Sequence, residues 1–191
     1  MLADVPGYTE FIERWKDNRR ANGFRLKWVG PRLRRHNVVV KKWRHDAVGW
    51  AAQAMVPRVA LDGLEDGDIL AWFDADVETL KDVPAGWLDG LVGEYDVACL
   101  QRKNKYSEIG FWVVRISGDT REMIEVFANV YESGAVLKLP EQHSGYVFDT
   151  ALANFHGLRI RNLNPMNERW HPWGQSPLAA FTVHHKGGKG R

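Results

Sequence analysis

The chain has 191 residues, 45% apolar and 12% aromatic, enough for a full-sized core and unlike a disordered or fibrous protein. Its 26 Lys and Arg against 24 Asp and Glu leave a net charge of +2, which gives little support to a protein that binds nucleic acid through overall charge alone. A lone Cys99 allows no internal disulfide, no apolar run reaches the roughly 18 residues of a membrane span, and Met1-Leu2-Ala3-Asp4 is no export leader. A single cytoplasmic domain over residues 1–191 is expected.

In chain order, Thr9 is placed to cap a helix with an apolar stripe at Phe11, Ile12 and Trp15, closed by Asn22-Gly23. Phe24 to Val29 alternates at period two, as a half-buried strand does, and Asn37 to Val40 is a short β-branched run. Arg44 to Leu61 carries Ala47, Trp50, Ala51, Ala54 and Met55 at helical spacing, with Pro57 kinking or restarting the helix. Ile69 to Phe73 is a nearly continuous apolar run, the pattern of a buried strand. A short helix around Trp87, Leu88 and Leu91 then leads to a strand over Asp96 to Leu100.

Arg102 to Ser107 has the composition of a basic loop, followed by a strand over Ile109 to Val114 whose Gly110 would let a ligand approach the backbone. Asp119 or Thr120 is expected to cap a helix bearing Met123, Ile124, Phe127, Val130 and Tyr131 and stopped at Gly134. Glu141-Gln142-His143-Ser144-Gly145 stands before a helix over about Tyr146 to Phe155, where free N–H groups favour anions. Leu158 to Arg161 reads as a last strand of the domain body. Trp170 and Trp173 lie in a Pro- and Asn-rich segment and would offer two exposed indoles for stacking a sugar or base. The tail runs from an apolar strand at Phe181 to Val183, through His184 and His185, to Lys186, Gly187, Lys189 and Arg191.

The chemistry concentrates after the central strand, where Trp72-Phe73-Asp74-Ala75-Asp76-Val77 places two carboxylates one residue apart. In open α/β sheets ligands bind beyond the strand ends, and carboxylates at i and i+2 can turn to one hard cation that also takes phosphate oxygens. An imidazole suits a manganese-like ion as a third ligand. Adjacent His184 and His185 point opposite ways on a strand, and His184 keeps the His-x-x-Gly spacing to Gly187. Basic clusters at Arg32, Arg34, Arg35, Lys41, Lys42 and Arg44, and again at Lys186, Lys189 and Arg191, would give a polyanionic ligand a local cationic field.

Together, Trp-Phe-Asp74-Ala-Asp76-Val, Ser107-Glu108-Ile109-Gly110-Phe111, Glu141-Gln142-His143 and the final His-x-Lys-Gly resemble the glycosyltransferases of the GT-A fold, in particular small phage and bacterial ones, from about Lys41 onward. The resemblance implies an α/β fold: a single GT-A-like, Rossmann-related domain with a mixed, mainly parallel central sheet flanked by helices. It implies a nucleotide-sugar donor, a UDP-sugar foremost, bound through Mn2+ or Mg2+ held by Asp74, Asp76 and His184 or His185. It further implies catalytic candidates in Asp76, Glu141, His143 and Asp149, and substrate contacts from Lys42, Asp74, Glu108, Gly110, Lys186, Gly187 and Lys189. The acceptor is open, with hydroxymethylated bases of DNA among the choices. Two rival readings share these residues: a metal-dependent phosphohydrolase or nuclease, and a nucleic-acid-binding module without catalysis that rests on the basic clusters and the Trp pair.

Overall fold

The computed structural model describes residues 47–167, 169–170 and 172–185. The helix expected after Thr9, the strands expected over 24–29 and 37–40, and Lys42, Lys186, Gly187 and Lys189 lie outside the described residues.

Helix α1 (Ala47–Ala60) runs as one element through Pro57 and buries Ala51, Ala54 and Met55. Strand β1 (Ile69–Phe73) has the expected bounds. A turn, in which the N–H of Val77 donates to the carbonyl of Asp74 at 3.1 Å, links it to β2 (Val77–Thr79). Helix α2 (Trp87–Val92) precedes strands β3 (Val97–Arg102) and β4 (Lys105–Arg115). The basic loop expected over 102–107 is instead a tight hairpin, because Asn104 takes the left-handed conformation (φ 52°) that a short turn between twisted strands requires. Helix α3 (Gly118–Glu132) is capped by Ser117 rather than by Asp119 or Thr120. The Ser117 hydroxyl accepts from the Thr120 N–H and the Thr120 hydroxyl accepts from the Ser117 N–H, a reciprocal pair that satisfies two donors at once.

Helix α4 (Ser144–Ala153), strand β5 (Ile160–Asn162), two 3-10 turns at Pro172–Gln175 and Pro177–Ala180, and strand β6 (Thr182–His184) complete the described chain. The main sheet has the order β1-β4-β3-β5, and β2 pairs with β6 in a second, two-stranded sheet. The sheet is mixed and flanked by helices, as expected. Its parallel share is smaller than expected within the described residues: β4 is antiparallel to both β1 and β3, and only β3 and β5 run parallel. The β3–β4 hairpin imposes this, since a two-residue connection can join only antiparallel strands.

Alternation along β3 and β4 divides the core between the two sheet faces. Val97, Cys99, Trp112 and Val114 face α1, α3 and α4 and pack with Met123, Ile124, Phe127 and Phe148. Ala98, Leu100, Phe111 and Val113 face the other way, against Leu91, Val92, Trp173 and Leu178. Strand β1 stands at one end of the strand order, so Ile69 to Trp72 remain half-buried and only Phe73 is buried. The strand end carrying Asp74 therefore reaches solvent while anchored through Phe73.

Candidate metal centre

Three local choices assemble the site. The apolar register of β1 ends at Phe73, opposite Phe111, and the Asp74 N–H donates to the Gly110 carbonyl at 2.8 Å, so Asp74 leaves the sheet in a fixed position. The following turn returns the chain into β2 with Asp76 at its corner. Strand β6 pairs antiparallel with β2, Val77 opposite His184, and the His185 N–H donates to the Asp76 carbonyl at 3.0 Å. That register brings an imidazole from the end of the chain onto carboxylates more than a hundred residues earlier.

Asp74, Asp76 and His184 each offer a ligand atom within 4.8 Å of the others and could hold a metal ion. His184 Nε2 lies 3.1 Å from Asp76 Oδ1 and 4.0 Å from Asp74 Oδ2. Asp76 Oδ1 and His184 Nδ1 are buried without a hydrogen-bond partner. Buried polar atoms are rarely left unsatisfied, and orphaned carboxylate and imidazole atoms in one cluster are the donor set a divalent cation takes. The residues present thus fit the ion that the resemblance implies.

Electrostatics agree with that fit. Burial pushes the Asp74 carboxyl up to about 6, against hydrogen bonds from Gln53 and Trp72 and the nearby His184 charge, which all favour the ionised form. Burial of His184 opposes its protonation, but the Asp76 carboxylate, then Asp74 and Glu108, outweigh it and raise the imidazole above its ordinary value. Two acids and an imidazole crowded together share protons in place of the positive charge the site is shaped for.

Gly110 stands against this cluster. A Cβ there would lie 2.6 Å from His184 Cε1 and 3.3 Å from Asp74 Oδ2. The close approach expected at this glycine is made by the protein's own imidazole and carboxylate. His185 turns the other way, with Nε2 2.9 Å from Glu78 Oε2.

The other anticipated residues spread around the centre. Glu108, two residues before Gly110 on β4, pairs with Arg102 at 3.3 Å, and its charge reaches His184. Asp149 is tied to the scaffold: its Oδ2 accepts from the Ser107 N–H at 2.7 Å, joining α4 to β4. His143 caps α4 by accepting from the Gly145 N–H at 3.0 Å, and its ring stacks on Tyr106 at 4.3 Å and lies 5.2 Å from Trp50. Glu141 is exposed just before it, close enough for its charge to act on Tyr106. The expected pair of exposed indoles separates: Trp170 is 59% exposed, with Lys105 and Arg169 against its ring, whereas Trp173 is buried. Trp173 supports the cluster, its ring 4.8 Å from His184 and its Nε1 donating to Thr182 Oγ1 at 3.2 Å.

Gln53 was not anticipated from the sequence. Its Nε2 donates to Asp74 Oδ1 at 2.6 Å, Trp72 Nε1 donates to the same oxygen at 2.9 Å, and Ser144 Oγ donates to Gln53 Oε1. The available signal was a lone neutral amide inside the apolar run Trp50 to Val56.

No family model and no curated protein match the chain. A similar solved structure is the crystal structure of a glycosyltransferase involved in the glycosylation of the major capsid of PBCV-1. The two share 12% identity with a TM-score of 0.60, over 94% of this chain and 89% of that one. At such identity the likeness is one of fold. Among the described residues no helix is long and apolar enough to cross a membrane.

Proposed function

We propose that this protein is a metal-dependent glycosyltransferase that takes its sugar from a nucleotide-sugar donor, a UDP-sugar foremost. The observation that carries the reading is the cluster of Asp74, Asp76 and His184 at the end of β1, two of its buried donor atoms unpartnered, on a fold similar to that of a glycosyltransferase. Asp74, Asp76 and His184 would hold the ion, with Mn2+ favoured over Mg2+ because one ligand is an imidazole. When bound, the ion supplies positive charge that stabilises the diphosphate as the glycosidic bond breaks.

The chain's own residues define the rest of the pocket. Lys42, Lys186, Gly187 and Lys189 are the proposed partners of the donor phosphates. Glu108 and His143 are the proposed groups on the sugar and acceptor side, Glu108 because its charge reaches the cluster and His143 because Ser144 beside it is linked to Asp74 through Gln53. Glu141 belongs to the same rim, while Asp149 acts from beneath by holding the Ser107 N–H that fixes β4. A cytoplasmic location goes with this reading, as the buried Cys99 suits a reducing compartment.

A phosphohydrolase of the two-metal kind needs acids converging on a second ion. Among the described residues there is one such cluster, with two carboxylates in it. Calorimetry with Mn2+ and UDP, then mass analysis after incubation with a panel of UDP-sugars and hydroxymethylated DNA, tests the proposal. Metal-dependent UDP binding and a sugar-sized mass gain are expected; folded protein that binds no nucleoside diphosphate in the presence of Mn2+ would refute it.

A further inference from the structure

Gln53 is half-buried on α1, far in sequence from either metal-site segment, yet it touches the cluster directly. Asp74 Oδ1 accepts from two donors on different elements, Gln53 Nε2 on α1 and Trp72 Nε1 on β1, while Oδ2 faces Gly110 and His184. The two carboxylate oxygens therefore have separate duties, one held by the protein and one presented to the site. Trp72 cannot enforce this alone, because it sits two residues away on the same strand and moves with Asp74. A second donor from a separate helix fixes the carboxylate plane.

The Gln53 amide is itself oriented. A carboxylate accepts only, so the NH2 of Gln53 must face Asp74, which turns Oε1 outward and requires a donor for it. Ser144, buried at the first turn of α4, provides that donor. The sequence Ser144 hydroxyl, Gln53 amide, Asp74 carboxylate thus runs in one direction and aligns three elements on one oxygen.

We propose that Gln53 is a positioning residue that locks Asp74 with Oδ2 free for the metal, and that Ser144 sets the direction of the Gln53 amide. The inference rests on the metal reading of the site and names the residues that tune it. Outer partners that orient a ligand carry about 10- to 100-fold in metal affinity.

The test uses the full chain and Mn2+ alone, with free Mn2+ measured by electron paramagnetic resonance and thermal unfolding of the metal-free protein measured beside it. Gln53→Leu and Gln53→Met, which keep the volume and remove both amide groups, should weaken Mn2+ binding by about 10- to 100-fold. The metal-free melting midpoint should change little, which separates orientation of a ligand from mere packing of α1 on the sheet. Ser144→Ala, which leaves Gln53 in place but frees its Oε1, should weaken binding in the same direction by about tenfold or less, and it decides the matter if neither Gln53 variant folds. Wild-type affinity in folded Gln53 variants, or in Ser144→Ala where those do not fold, overturns the positioning role and leaves the metal site standing. A wild-type protein that binds no Mn2+ overturns both.

Discussion

Gly110→Ala tests the built centre most directly, because the substitution touches only the space between β4 and the metal-site residues. The added methyl would sit 2.6 Å from His184 Cε1 and 3.1 Å from Nδ1. Favourable contact between carbon atoms is about 3.5–4.0 Å, so the ring must retreat by about 1 Å. It has little room to do so: Trp173 packs on it at 4.8 Å, and β6 holds its backbone against Val77. Overpacking of this kind costs about 1–3 kcal/mol, while replacing glycine inside a strand returns about 0.5–1 kcal/mol of backbone entropy. Net destabilisation should therefore be about 2 kcal/mol or less. The larger effect falls on the metal: an imidazole displaced by about 1 Å no longer meets the carboxylates at ligand distance, and Mn2+ affinity should fall by at least tenfold. Calorimetric Mn2+ titration and thermal unfolding of Gly110→Ala, His184→Ala and the double variant supply a cycle. The double variant should recover the stability lost in Gly110→Ala, because the clashing ring is gone, without recovering metal affinity. Wild-type affinity and an unchanged melting midpoint in Gly110→Ala would refute the close packing of His184 on Gly110.

Asp76→Asn should abolish most Mn2+ binding in calorimetry while the metal-free protein keeps its melting midpoint, since Asp76 Oδ1 has no hydrogen-bond partner to lose. His184→Ala should lower Mn2+ affinity strongly and His185→Ala should leave it nearly unchanged, because His185 faces Glu78; equal losses would reject that assignment. Mn2+ affinity measured across pH should be full above neutrality and fall as pH drops past the raised His184 value and then past about 6, where Asp74 takes its proton. Without metal, the Asp74 contribution to stability should run the other way. Its folded-state value of about 6 exceeds the ordinary 3.8, so the native state binds the extra proton and stability is lost as pH rises between the two, a trend that circular-dichroism melts would show.

Much of the scaffold was legible because it rests on local physics. Ile69 to Phe73 is apolar and bounded by Gly67 and Asp74, and the strand has those bounds. The period-3.6 pattern of Met123, Ile124, Phe127 and Tyr131 gave α3, although its cap was misplaced by two to three residues: Asp119 and Thr120 are also good capping types, and only the reciprocal Ser117–Thr120 bonds decide. The hairpin at Lys103-Asn104 was read as a loop because its flanks are charged, and charge pattern does not reveal a left-handed Asn. Trp173 was read as exposed because its neighbours are Pro and Gly. Its burial comes from Phe111 and Leu178, contacts that exist only after β6 has paired with β2.

The site divides along the same line. Asp74 and Asp76 are two residues apart, so a short pattern exposes them, and the alternation of adjacent strand residues already separated His184 from His185. Gln53 and Ser144 could not be found in that way: they are separated by 91 positions and meet only because α1 and α4 pack on the same face of one sheet. A polar residue on a buried helical face is costly unless it is bonded. Gln53 among Trp50, Ala51, Ala54 and Met55 therefore implied a buried partner without naming it. The fold supplies that partner as Asp74, whose own burial is tolerable because Gln53 and Trp72 donate to it, so each of these polar groups is stable in the interior only in the presence of the others.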